Sequence, residues 1–239
     1  MNNSHEIKQL SISQIILYHM LPGVPVLIIA ILFANPFWGL GLPAFLSLMI
    51  SFALCLVPGQ WLIMKITAHK QGKKLIDVIG FTEKMSLHRI ILWALPGVAL
   101  AALIFTIGTE IERPLWTIFA WVPDWFWVNR SLSDLDSLLV LTIILNFIIR
   151  GLLVPFTEEI YFRGFLLPRM NRLGKSAPLV NAVLFSVNHL FAPWENVTRA
   201  LAVLPFVYVV WHKKNVYIGV VAHCVVNTLG CVMMLVAVV

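Results

Sequence analysis

Residues 155–165 read PFTEEIYFRGF. Three charged groups, Glu158, Glu159 and Arg163, fall within six residues of a chain that is 60% hydrophobic and only 12% charged. A soluble domain carries about twice that charged fraction, and the mean hydropathy is +0.90. The bilayer is therefore the solvent for most of the chain, and its long apolar runs make helices, which satisfy their own backbone groups in hydrocarbon. The expected fold is all-α, a polytopic transmembrane helical bundle. Inside such a bundle the charges of 158–163 are costly unless they are paired or functional.

Working outward, apolar runs near 13–33, 43–64, 90–109, 137–156, 177–192, 197–212 and 216–238 are read as spans. Pro96 and Pro205 lie inside two of them, which membrane helices tolerate. The stretch WTIFAWVPDWFW (116–127) is broken by Pro123 and Asp124 and reads as an interfacial segment, since Trp favours the headgroup level. Seven or eight spans follow, according to whether 114–128 re-enters the membrane. The N-terminal run from Ile15 has no small-residue cleavage site and reads as a retained span rather than a removed signal peptide.

The net charge of +6 does not indicate nucleic acid, because the basic residues sit between apolar runs. Lys65, Lys70, Lys73, Lys74, Lys84 and Arg89 fill one loop, and Arg163, Arg169, Arg172 and Lys175 follow the fourth run. Lys8, Lys213 and Lys214 lie on the same side. The other side has Arg113, Arg130 and Arg199, with Arg150 inside a span. The richer side is expected in the cytoplasm, with the N-terminus inside. The external loop 110–136 is acidic, with Glu110, Glu112, Asp124, Asp134 and Asp136. Cys55, Cys224 and Cys231 all lie in apolar runs and give neither a disulfide framework nor zinc-ribbon spacing. Polar groups within spans concentrate after residue 146. The chain therefore divides into a transmembrane scaffold, 1–135, and a helical core that carries the chemistry, 136–239.

Three polar positions converge in that core. On a helix Glu159 and Arg163 are four apart with the acid first, the favourable order for a pair. Glu158 points about 100° away from Glu159. In FSVNHLF, Phe185 and His189 share a face, and in HCVVN so do His223 and Asn227. Each alone has a bland reading: an ion pair at a helix end, a hydrogen-bonded core histidine, an interhelical polar pair. Their positions say more. The turn after the fourth run lies at RLGK, 172–175, and Glu158 and His189 are equally distant from its centre, about 23 Å along an antiparallel hairpin. His223 lies about 13 Å beyond the basic boundary at Lys214. All three can meet at one depth, in the cytoplasmic half of the membrane. A carboxylate, two imidazoles and a carboxamide are the parts for activating water and stabilising an oxyanion.

EEIYFR (158–163), FSVNH (185–189) and HCVVN (223–227) match EExxxR, FxxxH and HxxxN in order. They resemble the CAAX protease and bacteriocin-processing enzyme (CPBP, or Abi) family of intramembrane proteases over roughly residues 137–235. The resemblance implies an intramembrane endopeptidase acting on a membrane-associated peptide or protein near the cytoplasmic face. It implies that Glu158 is the base activating water and that His189 orients that water. His223 and Asn227 would stabilise the oxyanion, Glu159 and Arg163 would fix the helix, and Phe185 would pack the site. No cofactor is required by this scheme. A divalent metal such as zinc stays open as an alternative, with Glu158, His189 and His223 as its ligands, although no HExxH occurs. Two other functions are compatible with the residues: a proton-coupled transporter, since intramembrane Glu and His mark proton paths, and a non-catalytic bacteriocin-immunity or regulatory protein. The short loops suggest a bacterial cytoplasmic membrane. Oligomeric state is not legible.

Overall fold

The computed structural model of the chain describes residues 7–39, 44–123, 142 and 144–238. The described elements are helices, and β pairing among them amounts to an isolated antiparallel bridge between Thr82 and Asn215. Helix α1 (Ile12–Met20) starts at a reciprocal cap. Ser11 Oγ accepts from the Gln14 amide at 3.2 Å, and the Gln14 side chain accepts from the Ser11 amide at 2.9 Å. Pro22 separates α1 from α2 (Gly23–Gly39). Then come α3 (Ala44–Ser51), a π-wound turn at Phe52–Leu56, α4 (Val57–Lys70) and α5 (Leu87–Ile118). Helix α6 (146–166) is continuous, α-wound at Val154–Glu158 and π-wound at Asn146–Leu153 and Glu159–Leu166. A tight turn at Asn171–Ser176, with Gly174 at φ 52°, leads to α7 (Ala177–Asn188), α8 (Asn196–Lys213) and α9 (Val216–Val238).

Helix α6 is the axle of the bundle. Every residue from 157 to 170 is buried, as expected of a helix enclosed on all sides. Helices α1, α4, α8 and α9 pack around its C-terminal half. The loop between α4 and α5 clamps its end. The Gly80 amide donates to the Gly164 carbonyl at 2.7 Å, and the Val216 amide donates to the Phe81 carbonyl at 2.7 Å. The N-terminal segment ties in as well, with the Leu10 amide donating to the Arg169 carbonyl at 3.0 Å. Burial pushes the Arg169 guanidinium, in the turn beyond α6, down to about 10. Large apolar side chains such as Leu54, Leu62, Leu92, Leu103 and Met233 stay exposed, the surface a lipid-facing bundle presents.

Among the described residues four runs are long and apolar enough to cross a membrane: Ile12–Phe33, Leu46–Lys70, Leu87–Ile118 and Val216–Met233. The chain is thus an integral membrane protein with an all-helical fold, and the count of seven or eight spans is not reached on these criteria. The fifth expected span, 177–192, ends at Asn188 and covers 12 residues, about 18 Å against a hydrocarbon core of about 30 Å. Helices α7 and α8 carry polar groups toward the interior and need not be apolar throughout. The start of the fourth expected span, Asp124, Arg130, Asp134, Asp136 and the last four residues of the aromatic stretch, 124–127, lie outside the described residues. The third span is longer than expected. Helix α5 continues through Glu110, Glu112 and Arg113, which the charge pattern assigns to a loop, and Glu110 pairs with Arg113 at 2.7 Å on its exposed face.

Candidate active site

Glu158 and Glu159 stand where α6 changes from α to π winding, a local rearrangement common at functional sites. Adjacent on the chain, they enter different surroundings. Glu159 Oε1 pairs with Arg163 Nη1 at 3.1 Å and with His223 Nδ1 at 3.0 Å. All three side chains are buried. The Arg163 guanidinium lies 4.2 Å from the Phe185 ring centroid, a cation–π contact that helps to hold a charge withdrawn from water. Gly219 on α9 makes room for Glu159, because any Cβ at that position would collide with Oε2.

Glu158 faces the other way. Its Oε1 is 3.8 Å from His189 Nε2 and its Oε2 is 4.0 Å from His223 Nε2. Hydrogen-bond logic assigns the rings. His189 Nδ1 is 2.8 Å from the Phe185 carbonyl; a carbonyl only accepts, so Nδ1 carries the hydrogen. His223 Nδ1 likewise donates to the Glu159 carboxylate. In the neutral rings both Nε2 lone pairs then face Glu158. Three acceptors in mutual view, separated by slightly more than a hydrogen bond, need a hydrogen-bearing bridge, and a water is the natural one.

This cluster floors a cavity of about 150 Å³, room for several waters. Asn227, one helical turn beyond His223, also lines it. Its Nδ2 donates one hydrogen to the Arg150 carbonyl at 3.0 Å, and the second hydrogen of that amide is not used by this bond. Phe52, Phe105 and Trp194 form an apolar wall.

The structure therefore brings Glu158, His189, His223, Asn227 and Phe185 to one cavity, with Glu159 and Arg163 one layer behind. Glu159 does more than hold its own helix: it reaches α9 and fixes the His223 ring. Arg199, Glu195 and Arg150 also line the cavity. Sequence reasoning does not single them out, and by charge alone Arg199 counts among the external groups. The signal is present, since Glu195 and Arg199 repeat the acid-first, four-residue spacing of Glu159 and Arg163. The cavity extends from Glu158 toward Arg150, Asn227 and Arg199, away from the basic turn at 171–176.

Zinc bonded to N and O ligands at about 2.0–2.1 Å holds its tetrahedral ligand atoms about 3.4 Å apart. Glu158, His189 and His223 are set more loosely than that. Among the described residues no three His, Cys, Asp or Glu side chains form a metal-holding group, so the three side chains as placed do not fit a closed zinc site.

Residues 140–229 match the family model described as type II CAAX prenyl endopeptidase Rce1-like. The family resemblance carried by the three motifs is thereby borne out, and the match contains all of them. No curated protein and no solved structure matches the chain.

Proposed function

We propose that this chain is an intramembrane endopeptidase that hydrolyses a peptide bond with a water activated by Glu158. The observation that carries the reading is the Glu158 carboxylate set between the Nε2 atoms of His189 and His223, at 3.8 and 4.0 Å, on the floor of a cavity within the bundle. A water held there donates one hydrogen to Glu158 and the other to His189 Nε2, which leaves a lone pair for the scissile carbonyl. On attack, the water proton passes to Glu158 while the carbonyl π pair moves onto oxygen. The oxyanion is held by the second amide hydrogen of Asn227 and by His223, which takes a proton from solvent at Nε2 before attack and returns it after product release, its Nδ1–H remaining on Glu159. Collapse breaks the C–N bond, and the Glu158 proton goes to the leaving amine. Atoms and charge return to the starting state.

The substrate class this supports is a membrane-associated peptide or membrane protein, since the cavity opens within an apolar bundle. The Lys/Arg distribution supports an N-terminus inside, and the short loops support a bacterial cytoplasmic membrane. The test is cleavage of a quenched-fluorescent peptide library by the purified protein in nanodiscs. Glu158→Ala and His189→Ala are each expected to lower the rate by about 10²–10⁴-fold, with insertion and thermal unfolding retained. Wild-type rates from both variants would overturn the assignment.

A further inference from the structure

A second buried polar set, Gln60, Thr157 and Asn188, stands behind the catalytic cavity without lining it. Along α4 and the π-wound turn before it, Phe52, Leu56, Gln60, Met64 and Ala68 are all buried, one helical turn apart on one face. This stripe faces α6. Phe52 and Leu56 share a hydrophobic cluster with Val154, and Met64 and Ala68 share one with Ile160 and Tyr161. Gln60 is midway along the stripe, so it meets α6 between Val154 and Ile160, level with Thr157 and Glu158. Neither Nε2 nor Oε1 of Gln60 has a hydrogen-bond partner among the described residues. The same holds for Thr157 Oγ1, directly before Glu158, and for Asn188 Oδ1, directly before His189. Glu158 and His189 come within 3.8 Å of each other, which brings Thr157 and Asn188 to one level. Gly23, at the start of α2, lets that helix close over the layer, because a Cβ there would collide with the backbone and side-chain oxygens of Asn188.

Buried polar groups in native proteins are hydrogen-bonded, to protein or to ordered water. Gln60 Nε2 and Thr157 Oγ1 donate, Gln60 Oε1 and Asn188 Oδ1 accept, and an internal water joins donors to acceptors with about three bonds. We propose that Gln60, Thr157 and Asn188 bind internal water behind Glu158 and deliver it to the point of attack. This rests on the endopeptidase reading, since hydrolysis consumes a water for each bond cleaved and lipid surrounds the bundle. A substrate entering the cavity displaces water from it. Water held by Gln60 and its partners lies outside that space and reaches Glu158 with the substrate in place.

Water binding and water supply are tested separately. In Glu158→Gln protein in nanodiscs, where turnover plays no part, X-ray pulses turn internal water into hydroxyl radicals that mark adjacent side chains, read by mass spectrometry. Met64 and Tyr161, both fully buried one turn from Gln60 and Thr157, are expected to be marked. Met170, equally buried beyond the end of α6, is expected to stay unmarked. Gln60→Leu, close in volume and without the amide, should abolish the marking. In the otherwise native chain Gln60→Leu and Thr157→Val should each lower kcat by about 10-fold or more with KM held. The midpoint of thermal unfolding should not fall, because an apolar isostere removes buried polar atoms and breaks no bond between protein groups. Thr157→Ser should recover most of what Thr157→Val loses. Marking that is absent, or that survives Gln60→Leu, overturns the water site. A native kcat in both variants, or a loss that comes with a lowered midpoint, overturns the supply role. Marking that Gln60→Leu abolishes, in a chain that cleaves no peptide, retains the water site and removes the peptidase reading.

Discussion

Glu159 and His223 are 64 residues apart in the chain, and their side chains meet at 3.0 Å in the middle of the bundle. That contact separates the two adjacent glutamates by role. Glu159, clasped between Arg163 and His223, holds two helices together, while Glu158 is left without a direct partner and faces the cavity.

Substitution should divide them in the same way. Glu159→Gln removes the shared counter-charge of a buried arginine and imidazole, and breaking a buried pair costs about 3–5 kcal/mol. Both the midpoint of thermal unfolding and the rate should fall. Glu158→Gln leaves no buried cation unpaired, so the rate should collapse while unfolding in detergent changes little. Equal destabilisation by the two variants would contradict the division.

Gly219→Ala tests the same contact from the other side. Its added methyl occupies the space of Glu159 Oε2, and the carboxylate, held by two partners, must move. The His223 ring then loses its orientation. Activity should drop by about 10–100-fold, an effect on the scale of a lost supporting interaction, with the protein still inserted and folded. A Gly219→Ala enzyme with native kcat would show that Glu159 adjusts freely.

Much of this arrangement was legible in the sequence. Glu158 and His189 come level because both arms of the hairpin are helical and its turn lies at 171–176, so equal counts along the chain become equal heights. Counting gives height but not direction around an axis. Whether Arg199 turns into the cavity depends on how α8 packs against α5, and no count along one helix contains that. Length and apolarity identify four spans among the described residues rather than seven or eight, for a related reason. Helix α7 has only 12 residues, and α8 turns the polar Thr198 and Arg199 inward while exposing Val197 and Leu201, so neither meets a rule built on length and uniform apolarity. The expectation that 1–135 is scaffold also omitted a polar tie. His19 on α1 and the carbonyl of Phe162 on α6 both meet Asn181 Nδ2, at 3.1 and 3.0 Å, so the first helix is fastened through α7 to the segment bearing both glutamates.

Metal dependence has a direct check. With water as the bridge between Glu158 and the two Nε2 atoms, activity should survive dialysis against a strong chelator. Rates and metal content are measured together on the same preparation. Loss of activity that stoichiometric zinc restores would instead make Glu158, His189 and His223 a ligand set.

Orientation decides which compartment supplies the substrate. Lys65, Lys70, Lys73 and Lys74 and the basic turn at 171–176 are expected in the cytoplasm, with the far end of α5 outside. With Cys55, Cys224 and Cys231 replaced by alanine, Lys74→Cys should resist a membrane-impermeant maleimide in intact cells, and Ala120→Cys, exposed just past α5, should react. Both should react after lysis. The cavity runs from Glu158 away from the basic turn, so this labelling pattern would bring a substrate to Glu158 from the membrane interior or its outer half. The inverse pattern would open the same cavity toward the cytoplasm and overturn the orientation drawn from the Lys/Arg distribution.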